Sequence, residues 1–145
     1  MEPAESLKIY DINLRLHYYS KDIIEQSLLV SDILKINDEE LGILCNLVHI
    51  SGDETERCKQ LRDLFSLSMV ILTKGTEGSL IITEKCNSFL ATPLVRVEDT
   101  VGAGDAFTAA FIASHMDGES IETAHQYAVN ISAFVCTKKG AMPPY

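Results

Sequence analysis

Residues 99–105, Asp-Thr-Val-Gly-Ala-Gly-Asp, form a glycine-rich stretch that ends in an aspartate. An alanine-rich segment follows it. Gly102, Ala103 and Gly104 leave their backbone N–H groups unshielded where that segment starts a predicted helix. Free amides and the positive end of a helix dipole attract anions at such a position. The Asp105 carboxylate is explained by stabilisation of the helix end. It is explained equally well by phosphoryl transfer, in which the amides hold a phosphate and the carboxylate accepts the proton of an attacking hydroxyl.

Two further glycines belong to a second motif, Thr73-x-Gly75-x-x-Gly78. A hairpin turn that requires positive φ accounts for both glycines and is the simpler interpretation. In the alternative, the Thr73 hydroxyl and the bare backbone of Gly75 approach the phosphates of a nucleotide. The sequence Gly-x-x-x-x-Gly-Lys-Ser/Thr does not occur in the chain, so a nucleotide would have to be held by another kind of loop.

A third polar cluster, Asn37-Asp38-Glu39-Glu40, follows a predicted strand and opens a predicted helix. Asn37 or Asp38 is a natural N-cap, and acidic residues in a first helical turn suit the helix dipole. Asn37 and Glu40 are also three residues apart, on one face of the helix. There they could hold a hydrated Mg²⁺, which keeps several water ligands and takes few carboxylates.

The elements that must position these motifs alternate between strand and helix. Runs of apolar and β-branched residues predict the strands, while capping residues followed by apolar residues at helical spacing predict the helices. The predicted strands cover residues 7–12, 32–36, 69–73, 79–83 and 88–92, and the predicted helices cover 20–30, 38–48, 53–65, 104–115 and 121–137. This order predicts an α/β fold with a mostly parallel sheet, a short antiparallel meander and helices on both faces.

The composition is that of a globular protein, and its net charge disfavours some classes of binding partner. The 145 residues suit one domain or part of one, and 21 acidic against 12 basic residues give a net charge of −9. Such a charge disfavours nucleic acid and anionic membranes as partners. The longest apolar runs are far shorter than the ~20 residues of a membrane helix, and the acidic start lacks the features of a signal peptide. We therefore expect a cytoplasmic protein.

Cysteines and histidines show no spacing typical of a metal site. The four cysteines include no Cys-x-x-Cys pair and are interpreted as reduced packing residues. Each histidine is interpreted as a buried or solvated imidazole. These residues are Cys45, Cys58, Cys86, Cys136, His17, His49, His115 and His125.

Together these motifs resemble the ribokinase (PfkB) family of sugar kinases. Residues 99–112 fit the C-terminal signature of that family at every position. Three shorter motifs fit in the same order along the chain: Asn37-x-x-Glu40, Thr73-x-Gly75-x-x-Gly78 and Lys139-Gly140-Ala141. Near the start, Asp11-x-Asn13-x-Arg15 resembles a segment found midway along bacterial fructokinases. The resemblance spans nearly all 145 residues and implies a ribokinase-like three-layer α/β/α fold.

The resemblance implies ATP-dependent phosphorylation of a primary hydroxyl of a sugar. Asp105 corresponds to the catalytic base of the family, and Gly102, Ala103 and Gly104 correspond to its anion hole. The motif at Asn37 and Glu40 corresponds to the one that orders Mg²⁺ and phosphate.

The resemblance also implies which residues contact the nucleotide. Thr73, Gly75 and Gly78 match the loop along the phosphates, and the last helix with Gly140 and Ala141 should line the adenine pocket. In that helix Val129 stands where relatives often carry Asn or His, and Asn130 is displaced from that position by one residue, or ~100° of helix. A monovalent cation such as K⁺ would take carbonyl ligands from around Asp99, Val101, Cys136, Lys139 and Ala141.

Members of this family are about twice as long, and their N-terminal half carries the elements that bind the sugar. The resemblance therefore implies that residues 1–145 form the C-terminal, ATP-binding half, weak or inactive alone. We expect an exposed edge strand near residues 7–12, and hence association with a missing half or into a homo-oligomer. Two alternatives are a non-enzymatic remnant that serves as an interaction or dimerisation module, and a kinase of another small alcohol such as a nucleoside.

Overall fold

The computed structural model describes residues 6–15 and 19–140. Every predicted element is present in this part of the chain, with ends that shift by at most two residues. In chain order the elements are β1 (Ile9–Asp11), α1 (Lys21–Leu29), β2 (Ile33–Asn37), α2 (Asp38–Leu47), α3 (Glu54–Leu64), β3 (Met69–Thr73), β4 (Ser79–Thr83), β5 (Asn87–Leu90), α4 (Ala103–Met116) and α5 (Ile121–Cys136).

The strands form an open mixed sheet in the order β1-β2-β3-β4-β5. The pairs β1–β2 and β2–β3 are parallel, with Asp11 opposite Lys35 and Asn37 opposite Thr73. Residues 74–78 join β3 to β4, and residues 84–86 join β4 to β5. Connections this short cannot form parallel crossovers, so these two pairs are antiparallel. The predicted α/β fold with a meander is confirmed, and β1 lies at an edge of the sheet as expected.

Side-chain caps fix the starts of α1, α2, α3 and α5. Asn37 is the last residue of β2 and the N-cap of α2, where it forms a capping box with Glu40. Asp53 and Glu56 form the predicted capping box of α3. A capping box satisfies two backbone amides that a helix start otherwise leaves free. The cap at Asn37 therefore places the motif of Asn37 and Glu40 directly at the carboxyl end of a parallel strand.

The chain divides into two compact units. Unit 1 comprises residues up to 74 together with 80–87, and unit 2 comprises residues 75–79 together with the chain from 88 onward. Unit 1 contains a core in which α1, α2 and α3 contribute apolar side chains alongside those of β2, β3 and β4. Its largest fully buried members include Ile24, Leu28, Leu34, Ile36, Leu41, Leu44, Leu61 and Leu72.

Unit 2 is built on the antiparallel packing of α4 against α5. Small residues such as Ala110, Ala124 and Ala128 are buried between these helices, together with Phe107 and Phe111. Alanines at a helix contact allow close approach of the two axes, which explains the alanine-rich composition of this region. In the part of the chain that the structure describes, no helix combines the length and the apolar character needed to cross a membrane.

Candidate functional site

The start of α4 carries the glycine-rich turn. Gly102 is the N-cap in a left-handed conformation, φ 80° and ψ −4°, which glycine adopts without the penalty of a Cβ. The Ala106 amide donates to the Gly102 carbonyl at 2.8 Å and begins the intrahelical ladder. No side chain caps this end, and the described residues provide no acceptor for the amides of Gly104 and Asp105. Unpaired donors at a helix start are suited to an anion.

The predicted anion hole needs one correction. The Ala103 amide donates to the carbonyl of Thr100 at 3.2 Å, so it is already engaged. The amides at this turn that have no acceptor among the described residues are therefore those of Gly104 and Asp105. Sequence reasoning did not reach this result because the acceptor for Ala103 depends on the shape of the turn.

Asp105 lies in the first turn of α4, and its side chain is exposed. Its carboxylate caps no backbone amide, and the described residues provide no hydrogen-bond partner for it. A carboxylate at this end of a helix is favoured by the dipole whatever else it does. Because its oxygens are uncommitted, the carboxylate is free to accept a proton from a bound ligand.

Asp99 is committed to holding two chain segments together. One carboxylate oxygen accepts the Val101 amide at 3.0 Å, and the other accepts the Gly140 amide at 3.2 Å. These hydrogen bonds, with that of Val101 the largest contribution, lower the pKa of Asp99 below its ordinary value. The turn before α4 is thus attached to the segment after α5, 41 residues further along the chain.

The predicted cation ligands fit only in part. The carbonyl oxygen of Cys136 accepts the amides of Glu98 at 2.8 Å and Asp99 at 3.3 Å. A carbonyl oxygen has two lone pairs, and both of those of Cys136 are engaged by these amides. The cation site stays a prediction. Lys139 is exposed, and Ala141 lies outside the described residues.

The loop of residues 75–78 has the backbone that its glycines predict. Gly75 and Gly78 have φ values of 52° and 147°. A Cβ on Gly78 would collide with the carbonyl oxygen of Leu90, while one on Gly75 would meet nothing within 4 Å. The Thr92 hydroxyl donates to the Gly75 carbonyl at 2.6 Å. The hairpin interpretation is confirmed, and the loop is attached to the chain around β5.

In unit 1, Asn37, Glu40 and Thr73 lie close together at the carboxyl ends of β2 and β3. Asn37 Oδ1 accepts the Glu40 amide at 2.8 Å, and Glu40 Oε2 accepts the Asn37 amide at 3.0 Å. The other oxygen of Glu40 accepts the Leu14 amide at 2.9 Å. The capping interpretation is confirmed. Glu40 is buried, and each of its two oxygens accepts one amide.

A partly buried ion pair between β1 and β2 was missed by sequence reasoning. Lys35 Nζ lies 2.8 Å from Asp11 Oδ2, and Lys35 is buried at 9% exposure. Beyond β1 the chain turns through Asn13, whose φ of 37° is left-handed. The sequence feature that could have predicted this ion pair is a lysine between apolar residues of a strand. A charge buried in such a strand requires a partner.

On α5, the two residues predicted near adenine differ in exposure. Val129 is 6% exposed and offers little surface to a ligand. Asn130 is exposed, and its Oδ1 accepts from the Gln126 side chain at 3.1 Å. His125, one turn before Val129, is fully buried, which is one of the two environments predicted for the histidines.

Within each unit, therefore, the structure brings together part of the predicted site. Unit 1 groups Asn37, Glu40 and Thr73 at two strand ends. Unit 2 contains the loop of residues 75–78 and, separately, the turn of residues 99–105 attached to Gly140. These observations define an α/β protein with a candidate phosphate site. The candidate site is a glycine-rich helix start that has no side-chain cap and carries a carboxylate without a partner among the described residues.

Comparison with known proteins identifies the family. Residues 3–145 match the family described as pfkB family carbohydrate kinase, and the chain belongs to it. The resemblance predicted from the sequence is thereby confirmed.

Individual relatives agree with this assignment. The chain is 31% identical over 152 residues to an aminoimidazole riboside kinase of Salmonella typhimurium, covering 98% of this chain and 46% of that protein. The nucleoside kinase structure of Methanocaldococcus jannaschii has a TM-score of 0.79 at 24% identity, over 95% of this chain and 44% of that one. A fructokinase double mutant from Vibrio cholerae, bound to fructose, ADP and potassium ion, has a TM-score of 0.74 at 26% identity, over 92% and 45%. The chain spans less than half the length of these relatives.

Proposed function

We propose that this chain forms the nucleotide-binding part of a kinase that transfers a phosphoryl group from ATP to a hydroxyl of a sugar, with Asp105 as the catalytic base. One observation carries the proposal. At the start of α4, the unpaired amides of Gly104 and Asp105 lie beside a carboxylate that has no partner among the described residues. Donors for a phosphate and an acceptor for a proton are thus provided by one helical turn.

Each group has a distinct task in this reaction. The amides stabilise negative charge on the phosphoryl group as it is transferred, and a single donor of this kind is worth about 10²–10³ in rate. The Asp105 carboxylate accepts the proton of the attacking hydroxyl, which contributes about 10²–10⁴. Ala103 contributes no free amide but holds the turn through Thr100.

Mg²⁺ belongs to the proposal through Asn37 and Glu40. When bound, the metal neutralises charge on the phosphates. The donor set fits a hydrated ion, because each Glu40 oxygen retains a lone pair for a water molecule after accepting one amide. A role for K⁺ receives less support. The Cys136 carbonyl oxygen already accepts two amides.

Residues that line the nucleotide are part of the same proposal. Thr73, Gly75 and Gly78 would follow the phosphates. Gly140 and Ala141, with Asn130 rather than the buried Val129, would contact adenine.

The acceptor would be bound largely by residues outside the 145 printed here, since the relatives are more than twice as long. A nucleoside is the second candidate acceptor, favoured by the relatives named as nucleoside kinases. We also propose that the edge strand β1 pairs with a further part of the kinase or with a second copy, since an unpaired edge recruits another strand. A cytoplasmic location, where ATP is available, completes the proposal.

Nucleotide titration tests the proposal on the 145-residue chain. We expect ADP to bind at least about tenfold more tightly than adenosine, because only ADP presents phosphates to the α4 amides. Binding should shift the amide resonances of Gly104 and Asp105 in heteronuclear NMR spectra. Equal affinities for ADP and adenosine, or no binding of ADP at millimolar concentration, would contradict the proposal.

A further inference from the structure

A buried histidine in unit 2 bridges two buried serines. His125, on α5, has no exposed surface, and its Nε2 lies 2.7 Å from Ser79 Oγ. Its Nδ1 lies 2.8 Å from Ser88 Oγ. The two serines are 4% and 9% exposed. Both ring nitrogens therefore have partners, and one side chain connects α5 to residues of two neighbouring strands.

The charge state of this bridge follows from its surroundings. Burial lowers the pKa of His125 to about 4, so the imidazole is neutral at physiological pH. A neutral imidazole donates through one nitrogen and accepts through the other. One serine hydroxyl then accepts and the other donates, which gives both ring nitrogens a partner. The edge of the Phe107 ring packs against the imidazole with ring centroids 6.0 Å apart.

The bridge lies next to the glycine loop in the chain. Ser79 directly follows Gly78, the last residue of that loop. Ser88 directly precedes Phe89 and Leu90. A Cβ on Gly78 would collide with the Leu90 carbonyl oxygen and lie 3.0 Å from Phe89 Cζ. His125 is therefore hydrogen-bonded to Ser79, which follows Gly78, and to Ser88, which precedes the residues that pack against Gly78. At the other end of the loop, the Thr92 hydroxyl donates to the Gly75 carbonyl.

We propose that His125 is a positioning residue for the nucleotide: through Ser79 and Ser88 it fixes the loop of residues 75–78 relative to α5. This inference rests on the proposed function, because the loop is taken to follow the nucleotide phosphates. A displacement of the loop by about 1 Å would remove most of the contribution that its orientation makes to nucleotide binding. Without the imidazole, two buried hydroxyls would seek other partners and the loop would shift.

Two substitutions at His125 separate positioning from simple loss of stability. His125→Phe keeps an aromatic ring but removes both hydrogen bonds. His125→Gln keeps one donor and one acceptor on a single amide, so it can bridge the two serines. Cys58→Ser is the matched control, because it places an unpartnered hydroxyl in the buried core of unit 1.

The readouts are the Kd for ADP by calorimetry and the hydrogen-exchange rates of the amides at residues 75–78. We expect His125→Phe to raise the Kd and the exchange rates about tenfold, and His125→Gln to remain within about threefold of the unsubstituted chain. Cys58→Ser should lower the urea midpoint without changing either quantity. Should His125→Phe fail to fold, Ser79→Ala removes one of the two hydrogen bonds and should raise the exchange rates in the same direction.

An unchanged Kd and unchanged loop exchange in His125→Phe would overturn the inference. Equal effects of His125→Phe and Cys58→Ser on both readouts would also overturn it, because they would show a general loss of stability. If the unsubstituted chain does not bind ADP, the proposed function fails. The exchange rates then still decide whether His125 fixes the loop.

Discussion

Alanine substitution of the two loop glycines gives a pair whose members both have positive φ but differ in what surrounds them. Gly75 has φ 52°, and a Cβ there would have nothing within 4 Å. Gly78 has φ 147°, and a Cβ there would overlap the Leu90 carbonyl oxygen and lie 3.1 Å from the Ala91 Cα. Both obstacles are backbone atoms, so they cannot move aside by changing a rotamer.

The cost of each substitution follows from these surroundings. An L-residue in the left-handed region costs about 1–2 kcal/mol, and alanine regains roughly 0.4–1 kcal/mol through the entropy of the unfolded chain. Gly75→Ala should therefore lower the free energy of unfolding by about 1 kcal/mol or less. Gly78→Ala adds the collision, worth about 1–3 kcal/mol, to a backbone strain of about 1–3 kcal/mol, and should cost roughly 2–5 kcal/mol.

Urea unfolding followed by circular dichroism measures the difference. With a slope of about 2 kcal/mol per molar urea, the midpoint of Gly78→Ala should fall at least about 0.5–1 M below that of Gly75→Ala. The slopes of the three proteins should agree, which checks that the denatured states are comparable. Equal midpoints for the two variants would refute the reasoning that contact with β5 fixes the loop.

Three further predictions follow from the same structure. Asp105→Asn, in a full-length kinase that contains this chain, should lower turnover by about 10²–10⁴ with little change in ADP affinity, and unchanged turnover would exclude the base. Asn37→Ala should cost about 1 kcal/mol in urea unfolding because it removes the N-cap of α2, whereas Asp38→Ala at the exposed neighbouring position should cost much less. Burial depresses the pKa of His125 from 6.5 to about 4, so the unfolded chain binds more protons between these values. Its contribution to stability is complete above pH 6.5 and should be lost as the pH falls, by about 3 kcal/mol near pH 4. Urea unfolding from pH 7 to pH 5 measures this loss, and an identical slope in His125→Gln would assign it to other groups.

Local patterns predicted the elements because their causes are local. The cap at Asp53 with Glu56 three residues later marks the start of α3, and the apolar run at residues 69–73 coincides with β3. The positive φ of Gly75 and Gly78 likewise follows from the turn in which they stand. Each of these features depends on residues fewer than about five positions apart, so a short stretch of sequence is enough to predict it.

The ion pair of Lys35 with Asp11 shows where local reasoning stops. Lys35 belongs to a predicted strand whose neighbours Leu34 and Ile36 are apolar, and the strand itself was identified. Its partner is fixed only by the parallel register that places Asp11 opposite it. Register is set by the packing of the sheet against its helices, which no short window of sequence reports.

By itself the sequence determined the family, the order of strands and helices, and the turn at residues 99–105 as the start of a helix with exposed amides. Only the tertiary structure decided which polar atoms remain free for a ligand. Glu40 is engaged by Leu14, 26 residues earlier, and Asp99 by Gly140, 41 residues later, while Asp105 has no partner among the described residues. Hydrogen bonds between distant residues exist only once the chain is folded, and they separate the groups that hold the fold from those available for chemistry.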